Sequence, residues 1–143
     1  KDEVPIILWN ARLDEDKDPG TFMELLHHVY AKTPFNLIIL GEDMTNGQKW
    51  YTRLQNEFGA QILFMGWCCD RSEYAHWLMK ASVVVSTANH ETFGISIVES
   101  VWCGALPLLP NRLSYPELFW ELGGISGPFV YQSLNDASDK LLH

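Results

Sequence analysis

The chain has 143 residues, of which 47% are hydrophobic and 20% are charged, which suits one globular domain with a sizeable core and excludes a largely disordered chain. Its formal net charge of −8 repels phosphate backbones, so this chain is not expected to supply most of any contact with a nucleic acid. The apolar runs are strand-sized, so we expect no membrane span. No signal peptide is visible, and the three cysteines lack metal-binding spacing, so we expect reduced thiols in a cytoplasmic protein.

Apolar and amphipathic stretches alternate along the chain. Continuous apolar runs predict five strands, at residues 4–10, 35–42, 61–67, 82–88 and 105–110. Amphipathic runs predict four helices, at residues 17–34, 46–60, 70–81 and 94–104, and a weaker helical pattern covers residues 133–142. Each of the four helices therefore follows a strand.

Several residues are predicted to mark the ends of these helices. Asp18 and Asp70 are expected to cap the N-termini of the first and third helices, and Pro19 suits the first helical position. Gly59 is expected to end the second helix in a left-handed conformation, and Gly104 is expected to end the fourth.

The predicted strands are uninterrupted apolar runs rather than alternating ones. This is typical of a sheet buried on both faces, so we expect an α/β fold with a Rossmann-like parallel sheet and helices on both faces. We expect a single domain over residues 1–143, with Trp77, Trp102 and Trp120 packed in its core or rim. In such sheets ligands bind beyond the carboxyl ends of the strands, where the order of winding reverses. The loops of interest therefore follow Trp9, Leu40, Met65, Ala88 and Leu109.

The loop after the first strand carries two cations, Arg12 and Lys17, just before a helix N-terminus. Two cations beside free backbone N–H groups suit a diphosphate, and a solvated charged loop is the alternative. The same loop contains Asp-x-Asp pairs at residues 14–16 and 16–18, a pattern that can hold a divalent metal. Because Lys17 lies between two of these acids and Asp18 suits a helix cap, we expect no metal site.

A turn at Phe93 and Gly94 precedes the fourth helix and lies between two carboxylates, Glu91 and Glu99. Carboxylates repel phosphates but accept hydrogen bonds from sugar diols, so cations in one loop and acids in another suit a nucleotide sugar. The alternatives are a solvated turn for Glu91 and a favourable helix-dipole interaction for Glu99. His90 borders this site, either as a donor to the ligand or as a satisfied turn residue.

These motifs resemble the C-terminal, donor-binding half of retaining GT-B glycosyltransferases of the glycosyl transferases group 1 family, over about residues 6–119. The loop ARLDEDKDP resembles that family's arginine–lysine loop, which implies that Arg12 and Lys17 bind the donor diphosphate. The stretch ETFGISIVE matches its E-x7-E motif, which implies Glu91 at the sugar hydroxyls and Glu99 at the ribose.

The resemblance implies further donor contacts. LIILGE resembles the family's glycine turn and carries Gly41, while Phe93, Gly94 and Ile95 fall where backbone amides meet sugar and phosphate. The implied catalytic residues are Arg12, Lys17 and Glu91, and the implied donor-binding residues are Gly41, His90, Phe93, Gly94, Ile95 and Glu99. The implied reaction is a front-face displacement with retention, without a cofactor or an essential metal.

Three stretches resemble a narrower group, the tRNA-queuosine mannosyltransferases, which take mannose from GDP-mannose. They are WNARLDEDKDP, HETFG and PLLPNRLSYPELF. This resemblance implies GDP-mannose, or otherwise a UDP-sugar, as donor and tRNA as an acceptor bound through another domain. A complete GT-B enzyme has two such domains, so we expect an N-terminal acceptor-binding domain as partner and little activity from this chain alone.

Other functions on the same architecture stay open. A flavodoxin-like receiver or interaction module would share the α/β pattern, with Asp43 near the end of the second strand, but no lysine follows a later strand and the two glutamates have no role there. A nucleotide-sugar epimerase, a phosphorylase, or a donor-binding domain without catalysis would also share much of the pattern.

Overall fold

The fold was analysed in a computed structural model, which describes residues 4–14, 17–43, 45–68, 70–87, 95–110 and 130–131. Within these ranges the strands are β1 Ile6–Asn10, β2 Asn36–Leu40, β3 Ile62–Gly66, β4 Val83–Val85, β5 Leu106–Pro110 and β6 Val130–Tyr131. The α-helices are α1 Pro19–Tyr30, α2 Lys49–Phe58, α3 Arg71–Lys80 and α4 Ile95–Trp102.

The strands form one parallel sheet in the order β3-β2-β1-β4-β5-β6. Leu8 at the centre of β1 lies opposite Ile38 of β2 on one side and Val84 of β4 on the other. The chain winds outward from β1 through β2 and β3, then returns to add β4, β5 and β6 on the opposite side. The predicted Rossmann-like α/β fold is confirmed, and its winding reverses between β1 and β4.

Helices cover both faces of the sheet, which explains why the strands are continuously apolar. Ile7 and Trp9 of β1 pack on one face with α1 and α2, whose Phe22 and Leu54 are fully buried there. Leu8, between them in sequence, points to the other face. The cluster on that face includes Leu78 of α3 and Ile97 of α4. No position along β1 after Ile6 is left for a solvent-facing side chain.

The predicted caps of two helices are confirmed. The Asp18 carboxylate accepts a hydrogen bond from the Thr21 amide at 3.2 Å, and Pro19 occupies the first position of α1. The Asp70 carboxylate accepts one from the Ser72 amide at 2.9 Å at the start of α3. Each cap satisfies an amide that has no partner inside its helix, so both helices begin where local sequence places them.

Two local predictions are wrong. Gly59 has right-handed φ and ψ of −54° and −38°, because the chain continues into a 3-10 turn at Gly59–Gln61 instead of reversing. Trp102 is 88% exposed, since it lies five residues after the buried Ile97, about 140° round the helix from the sheet. Gly104 does take a positive φ, 112°, just after α4.

The described part of the chain contains no helix that is both long and apolar enough to cross a membrane. Strand β6 was not predicted, because two residues carry no periodic signal. Trp120 and the helical pattern at 133–142 lie outside the described residues.

Candidate functional site

A cavity of about 520 Å³ opens at the carboxyl edge of the sheet. The residues that end or follow β1, β2 and β3 form one wall, and side chains of α3 and α4 form the other. They are Asn10, Ala11, Arg12, Leu40, Gly41, Glu42, Trp67, Cys68, Arg71, Tyr74, Ser96 and Glu99. This volume falls in the range of small-molecule sites, and its position beside the reversal of winding is where α/β sheets bind ligands.

Backbone contacts hold the loops after β1, β2 and β3 together below the cavity. The Leu13 amide donates to the Glu42 carbonyl oxygen, and the Gly41 amide donates to the Gly66 carbonyl oxygen, both at 2.9 Å. A Cβ atom on Gly41 would lie 2.6 Å from the carbonyl carbon of Ala11 and closer still to its oxygen. Gly41 therefore lets two loops approach each other, and it also lines the cavity.

Asn10, the last residue of β1, ties this strand to both helices of the opposite wall. Its side chain is buried, and its Nδ2 lies 2.9 Å from Tyr74 Oη, 3.1 Å from the Ser96 carbonyl oxygen and 3.0 Å from Ser100 Oγ. The Ser96 hydroxyl donates in return to the Asn10 carbonyl oxygen at 2.8 Å. One asparagine thus fixes α3 and α4 at the reversal of winding.

Glu99 faces the cavity from α4 and is held by Tyr74 of α3. The Tyr74 hydroxyl donates to Glu99 Oε1 at 2.7 Å. Burial, joined by the negative charge of Glu99, raises the pKa of Tyr74 to about 12, although the hydrogen bond with Asn10 acts in the opposite direction. Tyr74 is therefore protonated at neutral pH and remains a donor to the carboxylate.

The two predicted diphosphate ligands lie along the same edge of the sheet. Arg12 lines the cavity with a side chain that is 62% exposed, and its Nε lies 3.4 Å from Asp14 Oδ2. Lys17 does not line the cavity, but its carbonyl oxygen accepts a hydrogen bond from the Thr87 hydroxyl at 2.8 Å, just past the end of β4. Arg12 therefore lies near the end of β1 and Lys17 beside the end of β4.

Asp43 is committed to the N-terminus of α2. Its carboxylate accepts hydrogen bonds from the amides of Thr45, Trp50 and Tyr51 at 3.0, 2.7 and 2.8 Å, and from the Thr45 hydroxyl. Burial opposes its ionisation, but these hydrogen bonds outweigh burial and hold the pKa of Asp43 below its usual value. A carboxylate so occupied has a structural role, which removes the main support for a receiver-like function.

Two described acids of the loop after β1 likewise have partners. Asp18 caps α1, and Asp14 pairs with Arg12. Across the part of the chain that the structure describes, no three side chains of the kinds that bind metals come together. Asp16 lies outside this part.

Four predicted site residues, His90, Glu91, Phe93 and Gly94, lie outside the described residues, and Ile95 is the first residue of α4. Their roles stay predictions, as do those of Arg12, Lys17, Gly41 and Glu99. The sequence motifs did not indicate four further residues of the cavity wall, Asn10, Trp67, Arg71 and Tyr74. Only Asn10 carries a sequence signal, as the polar end of an otherwise apolar strand.

Comparison with known proteins assigns the chain to a family. All of it, residues 1–143, matches the family described as glycosyl transferases group 1. The chain belongs to this family. A tRNA-queuosine alpha-mannosyltransferase of Drosophila melanogaster is 31% identical over 114 residues, which are 79% of this chain and 30% of that protein. The chain thus spans about a third of the length of this curated relative.

Solved structures of glycosyl transferases share the fold of this group 1 member. The C-terminal domain of a glycosyl transferase group 1 family protein (LpcC) from Francisella tularensis superimposes with a TM-score of 0.75 at 20% identity, over 96% of this chain and 75% of that one. The catalytic domain of cholesterol-alpha-glucosyltransferase from Helicobacter pylori gives a TM-score of 0.73 at 19% identity, over 97% of this chain and 84% of that one. The lipopolysaccharide outer core galactosyltransferase WaaB gives 0.78 at 16% identity, over 99% and 40%. The fold is therefore the Rossmann-like half of a GT-B glycosyltransferase.

Proposed function

We propose that this chain is the donor-binding domain of a retaining glycosyltransferase and that the cavity binds a nucleoside diphosphate sugar. The observation that carries the proposal is that a guanidinium from the loop after β1, Arg12, and a carboxylate from α4, Glu99, line the same cavity. A cation suits the diphosphate, and a carboxylate suits vicinal hydroxyls. Family membership supports the same assignment.

The ligand would lie along the carboxyl edge with its parts matched to these charges. Glu99 would accept hydrogen bonds from the ribose hydroxyls, and Arg12 with Lys17 would bind the diphosphate. As the sugar leaves, negative charge grows on the β-phosphate, and fixed cations stabilise that charge without reorganising. Because the two side chains supply positive charge, a divalent metal is not required.

The nucleobase would lie at the far end of the cavity, beyond Glu99 and away from Arg12. Trp67 follows β3, two strands away from β1, and Arg71 begins α3; both line the cavity, and Trp67 is 63% exposed. An exposed indole and a guanidinium both stack favourably on a planar base. Stacking alone discriminates weakly between bases, so the choice among guanine, uracil and adenine depends on polar contacts at the base edge.

The finer assignment is transfer of mannose from GDP-mannose to queuosine in tRNA, in the cytoplasm. The likeness to the Drosophila tRNA-queuosine alpha-mannosyltransferase supports the mannose and the tRNA-queuosine acceptor. GDP as the nucleotide rests on the motif resemblance alone. With a net charge of −8, this chain would bind the donor while an acceptor-binding domain contacts the tRNA. The acceptor would then bind between the two domains.

Calorimetric titration with GDP, UDP, ADP and their common sugar conjugates tests donor binding. We expect saturable binding of one nucleotide series, weakened at least about tenfold by Glu99→Ala, because a hydrogen bond to a charged group is lost. Glu24→Ala is the matched control, since Glu24 is an exposed glutamate of α1 away from the cavity. Equal affinity in the wild type and Glu99→Ala would refute the assigned ribose contact.

Retention is tested in a polypeptide that joins this chain to an acceptor-binding domain. NMR spectra of the first product formed should show the same anomeric configuration as the donor. The chain alone should transfer little or no sugar, since the proposed acceptor site lies between this domain and the acceptor-binding domain. A product of inverted configuration would contradict a retaining transferase.

A further inference from the structure

The hydrogen bonds around Tyr74 run in one direction that the chemistry of the groups fixes. The side chain of Asn10 faces the Ser96 carbonyl oxygen at 3.1 Å, and a carbonyl only accepts, so the facing atom of Asn10 is its NH2 nitrogen. The same nitrogen lies 2.9 Å from Tyr74 Oη and cannot accept, so Tyr74 Oη is the acceptor in this contact, and the two amide hydrogens are shared among Tyr74 Oη, the Ser96 carbonyl and Ser100 Oγ. The single Tyr74 hydroxyl hydrogen is left to donate to Glu99 Oε1 at 2.7 Å.

This directed chain fixes the Glu99 carboxylate before any ligand arrives. Tyr74 occupies one carboxylate oxygen, and no other described residue donates to Glu99. Asn10 anchors Tyr74 from the end of β1, and it anchors α4 through Ser96 and Ser100. The carboxylate is thus held in one orientation at the cavity wall, with acceptor capacity left for a second donor.

We propose that Tyr74 is a positioning residue that orients Glu99 to accept hydrogen bonds from the ribose hydroxyls of the donor, and so sets the preference for ribonucleotides. The inference rests on the proposed function, because it needs a nucleotide in the cavity. A preorganised acceptor binds more tightly than a mobile one, since the cost of ordering the side chain is met on folding rather than on binding.

Tyr74→Phe removes one oxygen atom and leaves the anchor intact. The two amide hydrogens of Asn10 still have two acceptors, the Ser96 carbonyl and Ser100 Oγ. The Ser100 hydroxyl donates its own hydrogen to the Ser96 carbonyl oxygen at 2.8 Å, so Ser100 Oγ remains an acceptor. The variant is therefore expected to fold, and its melting temperature checks this.

The experiment compares ribonucleotides with ligands that lack the hydroxyls. GDP, UDP and ADP and their 2′,3′-dideoxy counterparts are titrated calorimetrically into the wild type, Tyr74→Phe and Tyr30→Phe. Tyr30 is a matched control because it is 51% exposed and lies on α1, on the other face of the sheet. We expect the wild type to bind the preferred ribonucleotide at least about tenfold more tightly than its dideoxy counterpart.

In Tyr74→Phe the preference for the ribonucleotide over its dideoxy counterpart should shrink by about tenfold. Only the affinity for the ribonucleotide should fall, and Tyr30→Phe should keep the wild-type preference. If Tyr74 had a purely structural role, its substitution would lower the affinities for both ligands equally. An unchanged preference in Tyr74→Phe, or no preference in the wild type, overturns the inference and leaves nucleotide binding standing. No binding of any nucleotide by the wild type overturns the inference and the proposed function together.

A second measurement uses the wild type alone. In protein labelled with 13C at the tyrosine Cζ, the Tyr74 signal should shift on saturation with the bound ribonucleotide and much less with its dideoxy counterpart. Equal shifts with both ligands would show that the ribose hydroxyls do not act on the Tyr74–Glu99 pair, and would overturn the inference.

Discussion

Gly41 lets the loops after β1 and β2 meet beside the cavity. The carbonyl group of Ala11 occupies the space where a Cβ atom would lie. We predict that Gly41→Ala lowers the free energy of unfolding by about 2 kcal/mol or more, because the loops after β1 and β2 must separate. Urea unfolding monitored by circular dichroism measures this.

Gly59→Ala is the control for this substitution. Gly59 has helical φ and ψ, and its Cβ would meet only the end of the flexible Gln55 side chain, at 2.9 Å. It should leave stability unchanged or raise it by up to about 1 kcal/mol. Equal effects of the two substitutions would contradict the close approach of the loops at Gly41.

The Asp43 carboxylate should contribute to stability through its hydrogen bonds with the start of α2. Asp43→Asn should destabilise the protein by about 2 kcal/mol at pH 7, because an NH2 group replaces an oxygen that faces the amides of Trp50 and Tyr51. The pKa of Asp43 is lowered by folding, so its stabilising effect is present above the ordinary value of 3.8 and is lost as the pH falls below it. Urea unfolding at pH 7 and at pH 3 should show that the difference in the free energy of unfolding between wild type and Asp43→Asn is smaller at pH 3.

Asp70→Asn provides the comparison for Asp43→Asn. Among the described residues, the Asp70 carboxylate accepts one hydrogen bond, from the Ser72 amide. Asparagine caps helices as well as aspartate does. Stability should change little at either pH. A loss as large as that of Asp43→Asn would mean that general charge effects, not hydrogen bonds to α2, explain the result.

Tyr74 should make the stability of the protein depend on pH in the alkaline range. Its pKa is raised from 10.0 to about 12 in the folded protein, so its contribution is complete below pH 10 and is lost as the pH rises towards 12. Between pH 10 and 12 the wild type should therefore lose more stability than Tyr74→Phe. Melting temperatures from pH 8 to pH 12 test this, and a constant difference between the two proteins would contradict the raised pKa.

At the scale of elements, α3 shows which side of a helix the sheet selects. Leu78 is 2% exposed, whereas its neighbour Met79 is 65% exposed. Leu78→Ala should cost about 3 kcal/mol, because it opens a cavity against the sheet, and Met79→Ala should change stability by less than about 0.5 kcal/mol. Thermal or urea unfolding distinguishes them, and similar losses would show that α3 packs differently.

Features fixed by short stretches could be predicted from the sequence, whereas features fixed by distant contacts could not. The Asp18 and Asp70 caps join residues two or three positions apart, so local sequence was sufficient. Gly59 was mispredicted because it begins a 3-10 turn that depends on how the chain enters β3. Trp102 was mispredicted because hydrophobicity alone does not tell which side of α4 meets the sheet.

The site divides in the same way. Arg12 and Glu99 were predicted because each lies in a motif that reads along the chain, beside a strand end or a helix start. Asn10 and Ser96 are 86 residues apart, and Tyr74 and Glu99 are 25 apart, so only the packing of α3 and α4 on the sheet brings each pair together. The tyrosine that holds the glutamate was therefore beyond prediction from the sequence.

For the whole molecule, the order of the sheet decides where a ligand can bind. All the described strands are parallel, so their carboxyl ends share one edge, and the reversal between β1 and β4 opens a gap there between the loops and α4. The amino ends of the same strands form the opposite edge. The central claim is that a nucleoside diphosphate occupies the carboxyl edge alone.

Amide NMR spectra of the uniformly 15N-labelled chain, titrated with GDP, UDP and ADP in turn, test this claim most directly. We predict saturable shifts for the amides of Ala11, Gly41 and Ser96, which line the cavity. The amides of Asn36 and Val83, at the amino ends of β2 and β4, should not move. Saturable shifts at the amino edge instead, or no shifts with any of the three nucleotides, would contradict the account.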